Sequence, residues 1–547
     1  MAHEEKAGSA CGLRLPQRRD QLDEAGGLYW RQMATLVEVT SRNTQIGAET
    51  RRRSWLPYAA LALAVVLAFW LQYMVRPVPG FPYDDPFIDL HSAQVLHFGH
   101  DVNYPGVPAL FGVTSAPFVL LIYLLLFVLQ PLQALNVACW VGVLFYGLGL
   151  LRLGRVLGLS VRQQWCAVFI GFASAPIPMH LLNGLETSCA LAAITWTLCF
   201  ASGERRGGLA AALMAGVTAC FRPDLILFTL VLVGFLGWRS AGAQAGWKQV
   251  VRCTAPLVLL AIIPVACCAA WYFHQIGTPF PLTGVAKRYF FAEDHWPIGR
   301  RLQFELGELF LFAVAVGPLG WCLLRGARYS MGKALAVVWI LFLAALFFQF
   351  PEEFGVNEFR YPVVLIPTLL WGLGMLVKRE SLQRLLYICT AYAAVMIPVS
   401  VHYYRAERAF FQKGPQGVTN WCLVHLPSGT SVLVHDAGYL AYSTDLRTID
   451  FVGLKTPSAI PLNKELTWPD AESGRPLAVA QLARQTGARY LILNSRWWPV
   501  VSLSEGMSTL GWKVKLLDSE GAFRIYSLTA PEEIRAAGSQ TASTNQR

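Results

Sequence analysis

Three carboxylates, Asp84, Asp85 and Asp89, fall within six residues of one another in Pro82-Tyr83-Asp84-Asp85-Pro86-Phe87-Ile88-Asp89, directly after a long apolar run. Ionised groups at membrane depth are costly and, where present, usually face a cavity and serve function. Paired acids divide labour readily, one held ionised as a base and the other neutral or oriented toward a cation. Capping of a helix that starts at Pro86 accounts for one of the first two. A lone acid, Glu186, sits in Asn183-Gly184-Leu185-Glu186-Thr187, and two readings of it stand: it caps the next helix through its dipole, or it faces the same cavity as Asp84. Arg222 and Asp224 share the turn Phe221-Arg222-Pro223-Asp224, as a mutual ion pair or with Arg222 turned toward a phosphate. Lys287 and Arg288 follow His274-Gln275-Ile276-Gly277-Thr278-Pro279-Phe280-Pro281, and Arg360 with Tyr361 lies in Glu358-Phe359-Arg360-Tyr361-Pro362. Such cations hold a lipid phosphate by charge-assisted hydrogen bonds, or serve as interface anchors. The sequence carries no phosphate-cradling glycine loop, nucleophile elbow or metalloprotease helix.

The elements that must position these residues are membrane helices. Of 547 residues, 54% are hydrophobic and only 14% charged, against about 25% charged in soluble domains. Apolar runs recur from Trp55 to Val401, each near the ~20 residues a helix needs to cross ~30 Å of hydrocarbon. The net charge of +11 sits in short Lys/Arg clusters between those runs, where it sets topology, so a nucleic-acid partner is discounted. The chain opens on a polar segment, 1–54, that does not read as a cleavable signal, so the first run is expected to be an uncleaved anchor. Most of the twelve cysteines lie inside apolar runs and offer neither a disulfide framework nor a zinc spacing. Placing the basic clusters inside gives spans at about 55–75, 133–151, 165–182, 188–201, 209–222, 223–238, 254–272, 306–324, 334–350, 362–377 and 385–401, about eleven crossings with the C-terminus outside. The stretch 108–130 breaks that count and is expected as an interfacial or re-entrant helix. The expected organisation is a cytoplasmic segment 1–54, a transmembrane module 55–401 with an outward catalytic loop 76–132, an extracytoplasmic α/β domain 402–529, and a disordered tail 530–547. In that domain 431–435, 448–451, 490–494 and 523–528 read as strands and 477–486 as a helix.

Taken in order, these segments resemble the GT-C class of polytopic glycosyltransferases, nearest the branch similar to the mycobacterial terminal arabinofuranosyltransferase. The blocks that carry the resemblance are Asp84-Asp85-Pro86-Phe87-Ile88, Asn183-Gly184-Leu185-Glu186-Thr187, Phe221-Arg222-Pro223-Asp224, Gly277-Thr278-Pro279-Phe280-Pro281 and Phe359-Arg360-Tyr361-Pro362. His435-Asp436-Ala437-Gly438-Tyr439 and Ile449-Asp450-Phe451-Val452-Gly453-Leu454 extend it into the tail. The resemblance implies inverting transfer of a sugar from a polyprenyl-phosphate donor to a cell-envelope glycan, lipid or protein acceptor, at the outer face of a bacterial inner membrane. It further implies Asp84 as the base that deprotonates the acceptor hydroxyl, Asp85 assisting, and Glu186, Arg222, Lys287, Arg288, Arg360, Tyr361 and His91 as substrate contacts. Where many relatives have Ala after the acid pair this chain has Pro86, and Asp89-Leu90-His91 replaces an aromatic-and-Arg pattern, so the sugar is not implied. Some members of the class bind a divalent cation near these acids and others need none; a cation is possible and no metal ligand is assigned. A lipid-linked-glycan flippase and a non-catalytic subunit of an envelope assembly complex are the competing readings.

Overall fold

The computed structural model describes residues 81–203, 207–242 and 244–531. The expected first span, 55–75, and the segment before it lie outside the described residues, as does the expected tail apart from Ala530 and Pro531. Apolar helices occupy most of the described chain up to His425. Five are long and apolar enough to cross a membrane: Pro131–Val156, Pro223–Ala241, Trp247–Ile276, Ser330–Gln349 and Gln383–His425. Two bent pairs, Ile298–Val316 with Pro318–Gly326 and Val356–Val363 with Ile366–Arg379, raise the number to seven if each is one span.

Among the described residues, where ten of the expected spans fall, length and composition alone give five to seven crossings, and the reasons are local. Expected span 306–324 turns through 102° where Gly317 and Pro318 meet, since Pro318 has no N–H to continue the ladder. Expected span 165–182 stops at Ala173 and resumes for only five residues at Ile177, after Pro176. Helices Thr187–Ser202 and Gly207–Phe221 have 16 and 15 residues, about 24 and 22 Å at 1.5 Å per residue, short of ~30 Å. The 108–130 stretch holds one ten-residue helix, Ala116–Leu125, about 15 Å long and too short to cross by itself. Pro86, Pro117 and Pro131 each open a helix at its first or second position, where a missing N–H leaves no bond unmade.

The C-terminal part forms a five-stranded sheet of order β2-β1-β3-β5-β4, with β1 Ser431–Val434, β2 Arg447–Asp450, β3 Tyr490–Asn494, β4 Lys513–Glu520 and β5 Phe523–Thr529. The first three strands are parallel, and β5 runs antiparallel to both of its neighbours, β3 and β4. Alternation builds two cores: Leu433 joins Leu491, Leu493 and the helix residues Val479 and Leu482 on one face, while Val432 and Val434 join Ile492, Ile525 and Val418 on the other. Edge strand β4 was not foreseen, because almost every residue in it is exposed and no buried alternation marks it.

Buried polar contacts fasten this domain to the membrane-side segments. Asp84 accepts from the amides of Gly438 at 2.7 Å and Tyr439 at 2.6 Å, and Tyr104 Oη donates to the Ala437 carbonyl at 2.7 Å. A Cβ added at Gly438 would run into the Asp84 backbone carbonyl. Gly438→Ala is accordingly expected to loosen this junction by ~1–3 kcal/mol through overpacking, seen as faster hydrogen–deuterium exchange at residues 438 and 439.

Lys455 makes a second fastening, its Nζ donating to Phe111 O at 2.8 Å and Ser92 Oγ at 3.1 Å with the residue 1% exposed. Burial brings its amine down from the ordinary 10.5 to about 8, although Asp101, Asp89 and Asp450 favour the charge. Between those values the folded chain holds less of the proton than the unfolded chain. Stability then rises with pH from about 8 toward 10.5, and the stabilisation is lost as pH falls through 8. Thermal midpoints are expected to climb between pH 8 and 9.5 in the wild type and to stay level over that interval in Lys455→Met; equal slopes would exclude Lys455 as the source.

Candidate active site

The acidic helix Asp85–Phe98 starts at the acid pair, and its first two turns carry Asp85, Ile88 and Asp89 to the wall of a cavity of about 480 Å³. Opposite it, Gly184 adopts φ +90°, and a Cβ there would meet Phe81 and Pro86. Only glycine permits that turn, and it delivers Glu186 to the same cavity. Arg360 arrives from a tighter device: Asn357, Glu358 and Phe359 are all left-handed, with φ of 49°, 56° and 66°. Each such non-glycine residue costs about 1–2 kcal/mol, and His180 Nε2 secures the turn by donating to the Glu358 carbonyl at 2.9 Å.

The charged groups form one connected network. Arg360 Nη1 donates to Asp85 Oδ2 at 2.5 Å, and its Nη2 reaches both Glu186 oxygens at 3.4 Å. Arg222 touches Glu186 Oε1 at 3.4 Å, grips Asp224 through two bonds of 3.2 and 3.0 Å, and stacks 4.8 Å over the Tyr361 ring. Lys287 Nζ donates to Glu353 Oε1 at 2.8 Å and to Tyr361 Oη at 3.2 Å. Burial works against the Lys287 charge, but Glu353 beside it holds the ammonium protonated well above the usual range. Asp89 moves the other way for an acid: burial, then the Glu186 charge, push its carboxyl well above the usual carboxylate range, with Arg360 opposing. Asp85 is the open acid of the set, its side chain 39% exposed against 2% for Glu186. Much of the remaining wall is apolar, from Ile226 and Leu227 on one helix and Phe342, Ala345 and Leu346 on another, with Thr114, Thr283 and Gln349 as its neutral polar groups.

Six of the nine site residues named from sequence line this cavity, and the other three lie elsewhere. Asp84 does not line the cavity; both its oxygens are taken by the amides of the C-terminal domain. Burial and the nearby Asp436 carboxylate push its carboxyl well above the usual range, and those two amides pull it back. Arg288 faces away as well, paired with Asp294 at 2.7 Å and stacked 5.4 Å over Trp468. His91 lies farther along the acidic helix, 3.2 Å from Asn103 and 3.4 Å from Asp101. Asp85, Glu186, Arg222, Lys287, Arg360 and Tyr361 do line the cavity. Glu353 was missed, and only its position in the acid pair Glu352-Glu353 ahead of Arg360 hinted at it. Among the described residues no group of three or more His, Cys, Asp or Glu is arranged to hold a metal ion.

Apolar helices, a charged cavity among their ends and a small C-terminal α/β sheet together define a multi-pass membrane protein of mixed architecture. The chain is similar in fold to ArnT from Cupriavidus metallidurans bound to undecaprenyl phosphate, with a TM-score of 0.50 and 13% identity, covering 87% of this chain and 98% of that one. The apo state of the same protein gives a TM-score of 0.50 and 13% identity over 86% and 98%. At that identity the likeness is one of fold. A family described as a domain of unknown function, DUF8728, matches residues 402–537. No curated protein matches the chain in sequence.

Proposed function

We propose that this protein is an inverting glycosyltransferase that moves a sugar from a polyprenyl-phosphate donor to a cell-envelope glycan, lipid or protein acceptor at the outer face of the bacterial cytoplasmic membrane. The observation that carries the reading is a single cavity in which Arg222, Lys287 and Arg360 face an exposed carboxylate, Asp85, with an apolar helical wall beside them. A phosphate suits the cations and a prenyl chain suits the wall. ArnT, of like fold, is described bound to undecaprenyl phosphate, which supports a lipid carrier of the same class here.

In the proposed reaction Asp85 takes the proton of the acceptor hydroxyl as its oxygen bonds to the anomeric carbon. That carbon's bond to the phosphate oxygen breaks on the opposite face, and the configuration inverts. An acceptor hydroxyl is far less acidic than a carboxyl, so the proton moves only as the anomeric bond breaks. The polyprenyl phosphate leaves as an anion, which Lys287, Arg222 and Arg360 stabilise in a partly dry site. Glu353, Asp224 and Glu186 keep those cations charged and aimed before the donor arrives. Asp84 serves in this scheme as the fastening that sets the C-terminal domain over the acidic loop. The proposed organisation keeps 55–401 as the membrane module, with its loop at 76–132, and 402–529 as the outer domain.

The test is sugar transfer in proteoliposomes supplied with envelope acceptors and a panel of radiolabelled polyprenyl-phospho-sugars, both pentoses and hexoses. Transfer from one donor, with release of polyprenyl phosphate, is the expected result. Failure with every donor would sink the reading.

A further inference from the structure

The acidic helix has a second working face. Past the cavity it carries His91, Gln94 and Phe98 to the wall of a separate groove of about 390 Å³, whose other wall is Tyr442 and Asp445 of the C-terminal domain, with Asp101 between. That volume lies within the roughly 300–1,000 Å³ of small-molecule sites. We propose that this groove is a subsite for neutral, hydroxyl-rich saccharide units of the acceptor, an assignment that rests on the transferase reading for its place in the reaction.

The lining chooses the chemistry. Asp101 and Asp445 contribute negative charge and no lysine or arginine lines the groove, so an anionic ligand is repelled. Carboxylate, amide and imidazole groups supply the paired acceptors and donors that neighbouring sugar hydroxyls need. Phe98 is 59% exposed and offers the apolar face on which the C–H side of a sugar ring rests. Two polar atoms in the wall have no partner: His91 Nδ1 and Asp101 Oδ2, on side chains only 8% and 5% exposed. A buried polar atom without a partner costs about 1–3 kcal/mol, and a shift of either side chain toward an occupant's hydroxyl would relieve that.

The groove is also held in shape before anything binds. Asp101 Oδ1 accepts the amides of Asn103 and Tyr104, each at 2.9 Å. Asn103 Nδ2 donates across to the Thr444 carbonyl at 2.6 Å and the Leu446 carbonyl at 2.9 Å, tying one wall to the other. Walls fixed in advance lower the entropy lost on binding. Phe98 follows Asp85 by 13 residues of helix, about 20 Å along the axis. An occupant therefore sits several sugar units from the reacting hydroxyl, where it selects the acceptor without taking part in the chemistry.

Saturation-transfer NMR on the full-length protein in detergent tests this, with maltotetraose and mannotetraose as neutral probes and tetragalacturonate as the acidic one. A neutral tetrasaccharide is expected to bind wild type and Asp85→Asn alike. The pair Gln94→Ala/Phe98→Ala, both at partly or fully exposed positions, should weaken it about tenfold, with the acidic probe excluded throughout. The subsite is overturned if neither neutral probe binds, if the pair of substitutions leaves binding unchanged, or if tetragalacturonate binds better. Saccharide binding without transfer from any donor would remove only the transferase reading, and transfer without saccharide binding would remove only the subsite.

Discussion

Asp85→Asn is expected to lower the turnover number for sugar transfer by ~10²–10⁴, the usual share of a general base, while the folded protein and its affinity for the donor stay nearly unchanged. Asn keeps the size of the side chain and one oxygen for Arg360, but it has no useful proton affinity. Arg360 also retains Glu186 as a partner at 3.4 Å, so its position survives the change. Asp84→Asn should do nearly the reverse. Its new NH₂ would face a backbone N–H that now donates to the carboxylate at 2.6 or 2.7 Å. Losing one such bond in a buried junction costs about 1–3 kcal/mol, so stability falls while turnover per folded molecule stays within a few-fold. Single-turnover transfer in proteoliposomes, beside melts in detergent, separates the two. Loss of chemistry in Asp84→Asn with full activity in Asp85→Asn would return the base to Asp84.

Glu186→Gln is expected to have the largest effect on stability of any change in the cavity. Its carboxylate is 2% exposed and stands between Arg222, 3% exposed, and Arg360, 11% exposed. Removing one partner of a buried ion pair typically costs about 3–5 kcal/mol, because the other charge is left uncompensated. Here the lower end applies, since Arg222 keeps Asp224 at 3.0 Å and Arg360 keeps Asp85 at 2.5 Å. The melt should move down by the equivalent of ~3 kcal/mol, and the Michaelis constant for the donor should rise as Arg360 loses its second anchor. A melt that shifts by less than ~0.5 kcal/mol, the scale of an ordinary surface change, would show that Glu186 does not hold the two guanidinium groups together.

Much of this was legible in the chain itself. Long apolar runs separated by basic clusters dictate a membrane protein, because no other solvent accepts them. The strands at 431, 448, 490 and 523 announced themselves by β-branched and apolar runs, and the structure places strands at each. The acid loop, the Glu186 turn, Arg222, Lys287 and Arg360 all stood out as charges where charges are expensive, and they converge on one cavity. Less legible were the breaks. Ser174-Ala175-Pro176 and Gly317-Pro318 are ordinary dipeptides and tripeptides in sequence, and only packing decides whether such a site bends slightly or turns through 102°.

The choice between neighbours was decided by the tertiary structure alone. Successive residues on a helix point about 100° apart, so a sequence that supplies Asp84-Asp85 or Lys287-Arg288 gives both members equal standing. The C-terminal domain, more than 350 residues along from the acid pair, presents two amides to Asp84 and leaves Asp85 facing the cavity. Trp468 and Asp294 draw Arg288 aside and leave Lys287 to Glu353 and Tyr361. Residue type and spacing determined which charged groups the chain brings to its loops and helix ends. Which member of each pair faces the cavity is set by contacts between segments far apart in the chain, and periodicity holds no information about those.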